Sequence, residues 1–119
     1  MEITFENNIP IYLQLLEYIK IYLISGVFKC GDKLPSVRDF ANTFKVNPNT
    51  MQKALSELED MKLIYTERTN GKYVTKDEKL IEKLKDEYAL TLAKSYFDGM
   101  KKIGLGKADS IKYLERISE

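Results

Sequence analysis

The chain has 119 residues, which gives room for one compact core with an appended element but not for two domains of ordinary size. Its apolar share of 44% and charged share of 31% are those of a folded globular protein, and a formal net charge of +1 means that a polyanionic partner must be met by local clusters of basic residues. The single cysteine, Cys30, excludes an internal disulfide, and the absence of histidine removes the imidazole on which most metal sites and general bases depend.

The opening residues, MEITFENN, are acidic and polar, without the basic start and long apolar stretch of a secretory signal. The most apolar run, Ile9 to Ile24, is interrupted by Gln14, Glu17 and Lys20 and is too short and polar to span a bilayer, so a cytoplasmic protein is expected. A first helix is expected from Pro10, well placed at an initial helical position, to Gly26, a left-handed cap. Apolar residues cover it nearly all round: Ile9, Leu13, Leu16, Ile19 and Leu23 serve one face, and Tyr12, Leu15, Tyr18 and Tyr22 another. It reads as a central, buried helix.

The stretch VFKCGDKL, Val27 to Leu34, reads as a short extended piece and a Gly-Asp turn. Ser36 then caps a short second helix, with Asp39 near its positive end and Val37, Phe40, Ala41 and Phe44 as its buried stripe. In VNPNTMQKA, Asn47 is a good N-cap and Pro48 suits the first helical position. Met51, Ala54, Leu55 and Leu58 then repeat at helical spacing in a third helix running to about Met61. LIYTER and GKYVT, flanking Thr69-Asn70-Gly71, give a hairpin signal because Asn-Gly readily takes positive φ. Three helices and a hairpin in that order make a winged helix-turn-helix. From Asp77 onward, Ile81, Leu84, Tyr88, Leu92, Tyr96, Met100 and Ile103 recur every three or four residues along a long amphipathic helix. Gly104-Leu105-Gly106 breaks it before a shorter helix marked by Ala108, Ile111, Leu114 and Ile117. The expected fold class is thus mainly α with a small β-hairpin.

With Met51 at the centre of the buried stripe, Asn49, Lys53 and Ser56 fall on the opposite side of the third helix, flanked by Thr50 and Gln52. These are groups a major groove can use: amides pair with adenine, hydroxyls reach phosphates or base edges, and an ammonium neutralises a phosphate. The acidic Glu57, Glu59 and Asp60 come only at the far end. Arg38, outside the apolar stripe of the second helix, stands near the same groove edge. Arg68, Asn70 and Lys72 place a basic cluster on the hairpin tip, where a wing touches backbone or minor groove. A polar helix face alone is more often merely solvated; it is the conjunction of turn, preceding helix and basic hairpin that points to DNA.

The run from Pro10 to about Thr75, with its pieces "SG", "GDKLPSVR" and "VNPNTMQKAL" followed by "LE", resembles the DNA-binding domain of GntR-family transcriptional regulators. The helical tail of about forty residues resembles that of the YtrA-like subfamily, which lacks a large effector domain. The resemblance implies DNA contact by Arg38 of the LPS-x-R motif, in which Ser36 also stands. It implies the same for Asn47, Pro48, Asn49, Thr50 and Gln52 at the start of the recognition helix, and minor-groove entry by Asn70 and Gly71. Together with Lys53, Arg68 and Lys72 from the residue reading, these form the expected DNA-binding set. Many members carry arginine where Pro48 and Gln52 stand, so an adenine preference at Gln52 is expected in place of guanine readout. Lys62 stands where a glycine usually ends the recognition helix, and Thr69 replaces a wing glycine, both implying altered local turns. Cys30 stands where proline is usual, with no second cysteine beside it, and reads as structural.

Residues 1–76 are therefore expected to form a winged helix-turn-helix DNA-binding domain and residues 77–119 a two-helix dimerisation tail. Its interface is Ile81, Leu84, Tyr88, Leu92, Tyr96, Met100 and Ile103, because the first domain already has apolar residues enough to close its own core. A two-fold dimer places two recognition helices in successive major grooves about 34 Å apart. The expected partners are a double-stranded DNA operator and a second copy of the chain, with no cofactor, metal or membrane. A small-molecule effector has room only at the tail, where Tyr88, Tyr96 and Phe97 can line a pocket, although their plain role is core packing. The resemblance implies a repressor. The rival is a winged-helix module that binds protein or RNA; an enzyme is remote without histidine, a phosphate-cradling glycine loop or a convergent carboxylate pair.

Overall fold

The computed structural model describes residues 3–118. In chain order it contains α1 (Ile11–Ile24), α2 (Val37–Phe44), α3 (Pro48–Asp60), β1 (Ile64–Glu67), β2 (Gly71–Val74), α4 (Glu78–Lys102) and α5 (Lys107–Glu115). It divides into two compact units, one up to Glu82 and one from Lys83 on, the division falling inside α4.

In the first unit α1 packs against α3, and α3 against α2 and β1. The core is Leu15, Leu16, Ile19 and Leu23 of α1, Phe40, Ala41 and Phe44 of α2, and Met51, Ala54, Leu55 and Leu58 of α3, closed by Leu34, Leu63, Ile64 and Val74. A ring cluster of Tyr22, Phe28, Phe40 and Phe44, with centroids 5.6–6.3 Å apart, holds α2 to α1. The stripe expected for α3 is the observed one, and that of α2 is observed at Phe40, Ala41 and Phe44, with Val37 only half-buried at the first helical position. α1 differs: Ile9, Ile11, Leu13 and Ile21 are exposed, so the helix is buried along one side only. Its composition is apolar all round, but its partners cover one stripe.

The turns between these helices are set by local chemistry. The Asp39 N–H donates to Ser36 Oγ (3.1 Å) and the Asn49 N–H to Asn47 Oδ1 (2.7 Å), so both expected N-caps operate. α2 ends with Lys45 in the left-handed region (φ 56°), the Val46 N–H donating to Ala41 O and the Lys45 N–H to Asn42 O. α3 ends in the same way at Lys62 (φ 66°), with Leu63 N–H to Leu58 O and Lys62 N–H to Glu59 O. Each is a Schellman closure, a position that glycine fills without steric cost. An L side chain held there costs roughly 1–2 kcal/mol, partly offset by the greater freedom glycine has in the unfolded chain. Lys62→Gly is therefore expected to raise stability by about 1 kcal/mol in urea unfolding, with no change in slope; a decrease would show that the Lys62 side chain contributes more than its backbone costs.

The hairpin pairs Ile64 with Val74, Tyr65 with Tyr73, Thr66 with Lys72 and Glu67 with Gly71. Its loop is Arg68-Thr69-Asn70, closed by the Asn70 N–H on Glu67 O, and Gly71 alone takes positive φ (109°), not the Asn-Gly pair. On the free edge of β2 the segment before α2 adds a short third rung: Lys33 bridges Tyr73, Gly31 N–H donates to Val74 O, and Leu34 N–H to Lys72 O. This ties the wing to the loop that leads into the helix-turn-helix.

In the second unit, the Gly104-Leu105-Gly106 break is observed, with Gly104 at φ 86° and Leu105 N–H on Met100 O. Tyr96 Oη donates to Ser110 O (2.7 Å) and pins α5 to α4. No residue of α4 is buried, and Leu90, Leu92, Ile103, Ile111, Leu114 and Ile117 are all exposed. No helix among the described residues is long and apolar enough to cross a membrane.

Candidate nucleic-acid interface

The inner side of α3 is closed: Met51, Ala54 and Leu55 are each 0% exposed. Its other side presents Asn49, Gln52 and Lys53 to solvent, with Thr50 and Ser56 half-buried at the margins. Asn47 is exposed but its Oδ1 is already accepting from the helix end, which leaves its Nδ2 as the group to meet a ligand. Pro48, at the first helical position, has no N–H to offer.

Two side chains on this face are held by contacts within the protein. Gln52 Nε2 donates to Ser56 Oγ one turn further on (3.0 Å). Lys53 Nζ lies 3.9 Å from the centroid of the Tyr12 ring on α1, a cation–π contact that steadies the ammonium without neutralising it. The lysine keeps its charge for a phosphate and has less rotamer freedom left to surrender on binding.

α2 contributes from the side. Ser36 caps its start, and Arg38, exposed, sits in its first turn. A positively charged side chain there is unfavourable for the helix itself, since the helix dipole already puts positive charge at that end. The Ser36 hydroxyl, the N–H groups of Val37 and Arg38 and the Arg38 guanidinium favour an anion at this corner, against the exposed Asp39 carboxylate in the same turn, whose own N–H is taken by Ser36.

At the wing, Arg68, Thr69, Asn70 and Gly71 are exposed, and Asn70 Nδ2 donates to Glu67 Oε2 (3.2 Å). Lys72 behaves differently from its neighbours. Its Nζ donates to Thr66 Oγ1 (3.0 Å) and lies 3.8 Å from Glu59 Oε1, which also accepts from Thr66. Its charge is thus offset inside the molecule, and the contact ties the wing to the C-terminal end of α3. Lys33, outside the expected DNA-binding set, is exposed beside Gly71, its Cε within 3.6 Å of where a Cβ on Gly71 would stand. Only the pairing of its segment with β2 brings it to the wing, and nothing local in GDKL announces that pairing. Tyr12 and Ser56 are likewise outside that set, because their roles are seen only through the side chains they hold.

Burial, followed by the carboxylates Glu78 and Asp77, pushes the Cys30 thiol above its ordinary pKa. The thiolate is disfavoured, which is the opposite of what a redox-sensing cysteine needs. In the second unit, Leu90, Ala93, Tyr96, Phe97, Ile111 and Leu114 line an apolar groove of about 340 Å³ between α4 and α5. Tyr96 and Phe97 are in it as expected, and Tyr88 is not among its lining residues.

The arrangement is a helix with a closed apolar back and an open face of amides, a hydroxyl and an ammonium, flanked by one guanidinium on α2 and another on the wing. It is suited to meeting phosphates and base edges together. Residues 11–74 match the family model of the bacterial regulatory proteins, gntR family. The HTH-type transcriptional regulator YhcF of Bacillus subtilis is 34% identical over 119 residues, covering 100% of this chain and 98% of the relative. The HTH-type transcriptional repressor YtrA of Bacillus subtilis is 40% identical over 79 residues, covering 66% of this chain and 61% of the relative. The structure of a GntR family transcriptional regulator from Listeria monocytogenes superposes with a TM-score of 0.87 at 38% identity, covering 96% of this chain and 100% of that one. The chain belongs to the GntR family of bacterial regulatory proteins, in its YtrA-like form, and is a DNA-binding transcriptional regulator, not an enzyme.

Proposed function

We propose that the protein is a cytoplasmic repressor that binds an inverted-repeat operator as a homodimer. Residues 1–76 act as the DNA-binding domain and residues 77–119 as the dimerisation tail. The observation that carries this reading is the exposed face of α3, where Asn49, Gln52 and Lys53 stand opposite a fully closed apolar stripe. In this reading Asn49, Thr50 and Gln52 meet base edges, while Ser36, Arg38, Asn47, Lys53 and Arg68 meet phosphates. Pro48 sets the angle of entry, and Asn70 and Gly71 approach the minor groove. Lys72 acts mainly by keeping the wing in place, given its contact with Glu59.

A second copy is called for by the tail. In α4 no side chain is fully buried: Ile81, Leu84, Tyr88, Tyr96 and Met100 are half-buried and Leu92, like Ile103 after it, is exposed, and a partner copy completes the burial along this stripe. Occupancy of an operator by such a dimer excludes polymerase, which is repression without any separate ligand domain. A small-molecule effector, where one acts, has the groove between α4 and α5 as its place.

The test is selection of bound duplexes from a random pool by the full chain, with light scattering on the same sample. The expected product is an inverted repeat with half-sites one helical turn apart, about 34–36 Å, and a dimer mass at micromolar concentration. Recovery of no enriched sequence, or of a monomer, would overturn the reading.

A further inference from the structure

We propose that Ser56 is a specificity-determining residue of this regulator, acting as a positioning residue for Gln52 so that Gln52 reads adenine and rejects guanine. The inference rests on the reading of α3 as the helix that enters the major groove.

Gln52 and Ser56 are four residues apart on one helix, the spacing at which side chains meet. The observed contact has a direction: Gln52 Nε2 donates and Ser56 Oγ accepts, at 3.0 Å. A glutamine amide has two N–H donors and one carbonyl acceptor. With one N–H committed to Ser56, the end presented to the groove carries one N–H and Oε1. That is the complement of adenine, whose major-groove edge offers the N6 amino group as donor and N7 as acceptor. Guanine offers O6 and N7, both acceptors. An unrestrained Gln52 can turn its whole NH2 toward that pair of acceptors. While Ser56 accepts from Nε2, as observed, one acceptor of guanine is left unpaired and Oε1 is set against O6.

Ser56 is half-buried at the margin of the face. It has no need to touch DNA itself; in the observed contact it accepts from Nε2 and so holds the amide with Oε1 and one N–H toward the groove. The hydroxyl is also out of place on local grounds, because serine is a poorer helix former than alanine in the interior of a helix. Replacing it therefore does not threaten folding.

The experiment is selection of bound duplexes from a random pool with the full-length wild type, Ser56→Ala, Ser56→Thr and Gln52→Ala, with thermal unfolding of each. The wild type is expected to enrich adenine over guanine at the base pair facing Gln52. Ser56→Ala is expected to lower that preference about tenfold, within the range of one bidentate base contact, at an unchanged or higher unfolding midpoint. Ser56→Thr retains the acceptor and is expected to keep the preference, and Gln52→Ala to abolish it. Enrichment of guanine by the wild type, or an adenine preference intact in Ser56→Ala, would overturn the role of Ser56 while leaving operator binding standing. Failure of the wild type to enrich any sequence would overturn operator binding, and this assignment with it.

Discussion

Leu92→Asp is expected to convert the proposed dimer into monomers and to weaken operator binding by about 100-fold or more. Leu92 is 69% exposed in the single chain, in the middle of a stripe whose end residue, Ile103, is 72% exposed. Side chains of that size left in water along a 25-residue helix forgo most of the hydrophobic stabilisation open to them, about 1.5–3 kcal/mol for each one fully buried. The proposed seam between two copies restores it. An aspartate within that seam is desolvated without a partner. Leaving a charge buried and unpaired costs about 3–5 kcal/mol, enough to dissociate a micromolar dimer. Operator binding then falls because two linked half-site contacts become two independent ones, and an effective concentration in the millimolar range disappears. Light scattering and a DNA titration on the same sample read both effects, and Leu92→Met, which keeps the volume and the apolar surface, is expected to leave both unchanged. A Leu92→Asp protein that still weighs as a dimer would place the seam elsewhere.

How much of this is legible in the sequence depends on the range of the interaction concerned. The caps at Ser36 and Asn47 are readable because a cap is closed within three residues. Lys62 is marked by the missing glycine, and the structure supplies the reason in its φ of 66°; Lys45, with the same geometry, carries no such signal. The hairpin is recognisable from Asn70-Gly71, yet its loop has three residues and only Gly71 takes positive φ, because Asn70 closes a turn on Glu67. For α1 the composition misleads: it is apolar on every side, and only packing decides which side is used. The face of α3 is legible from helical spacing, since Met51, Ala54, Leu55 and Leu58 fix its inner side. Which of its polar groups are already engaged is not. Lys53 on Tyr12, Lys72 against Glu59 and Lys33 beside the wing join residues far apart in the chain, and no local pattern encodes such pairs.

Arg38→Ala is expected to lower operator affinity by about 10- to 100-fold while leaving the folded state as stable as before or slightly more so. Arg38 is exposed, and among the described residues no carboxylate forms an ion pair with it. It stands in the first turn of α2, where the helix dipole disfavours a cation by about 0.3–1 kcal/mol. Removing it therefore relieves a local cost and exposes nothing buried. In the proposed interface its contribution arises only when DNA is present, through charge-assisted hydrogen bonds worth about 1.5–3 kcal/mol. The kind of interaction is separable by salt and by Arg38→Lys. Where Arg38 neutralises a phosphate, Arg38→Ala lowers the slope of log affinity against log salt by about 0.9, and lysine restores most of it. Where it pairs with guanine in bidentate fashion, Arg38→Lys keeps its salt slope but has a broader base preference at one pair, because an ammonium cannot reproduce the planar fork. Operator affinity of Arg38→Ala within about twofold of the wild type, well short of the loss of one charge-assisted hydrogen bond, would remove this residue from the interface. A fall in unfolding midpoint alongside weaker binding would mean that Arg38 supports the helix-turn-helix and does not touch DNA itself.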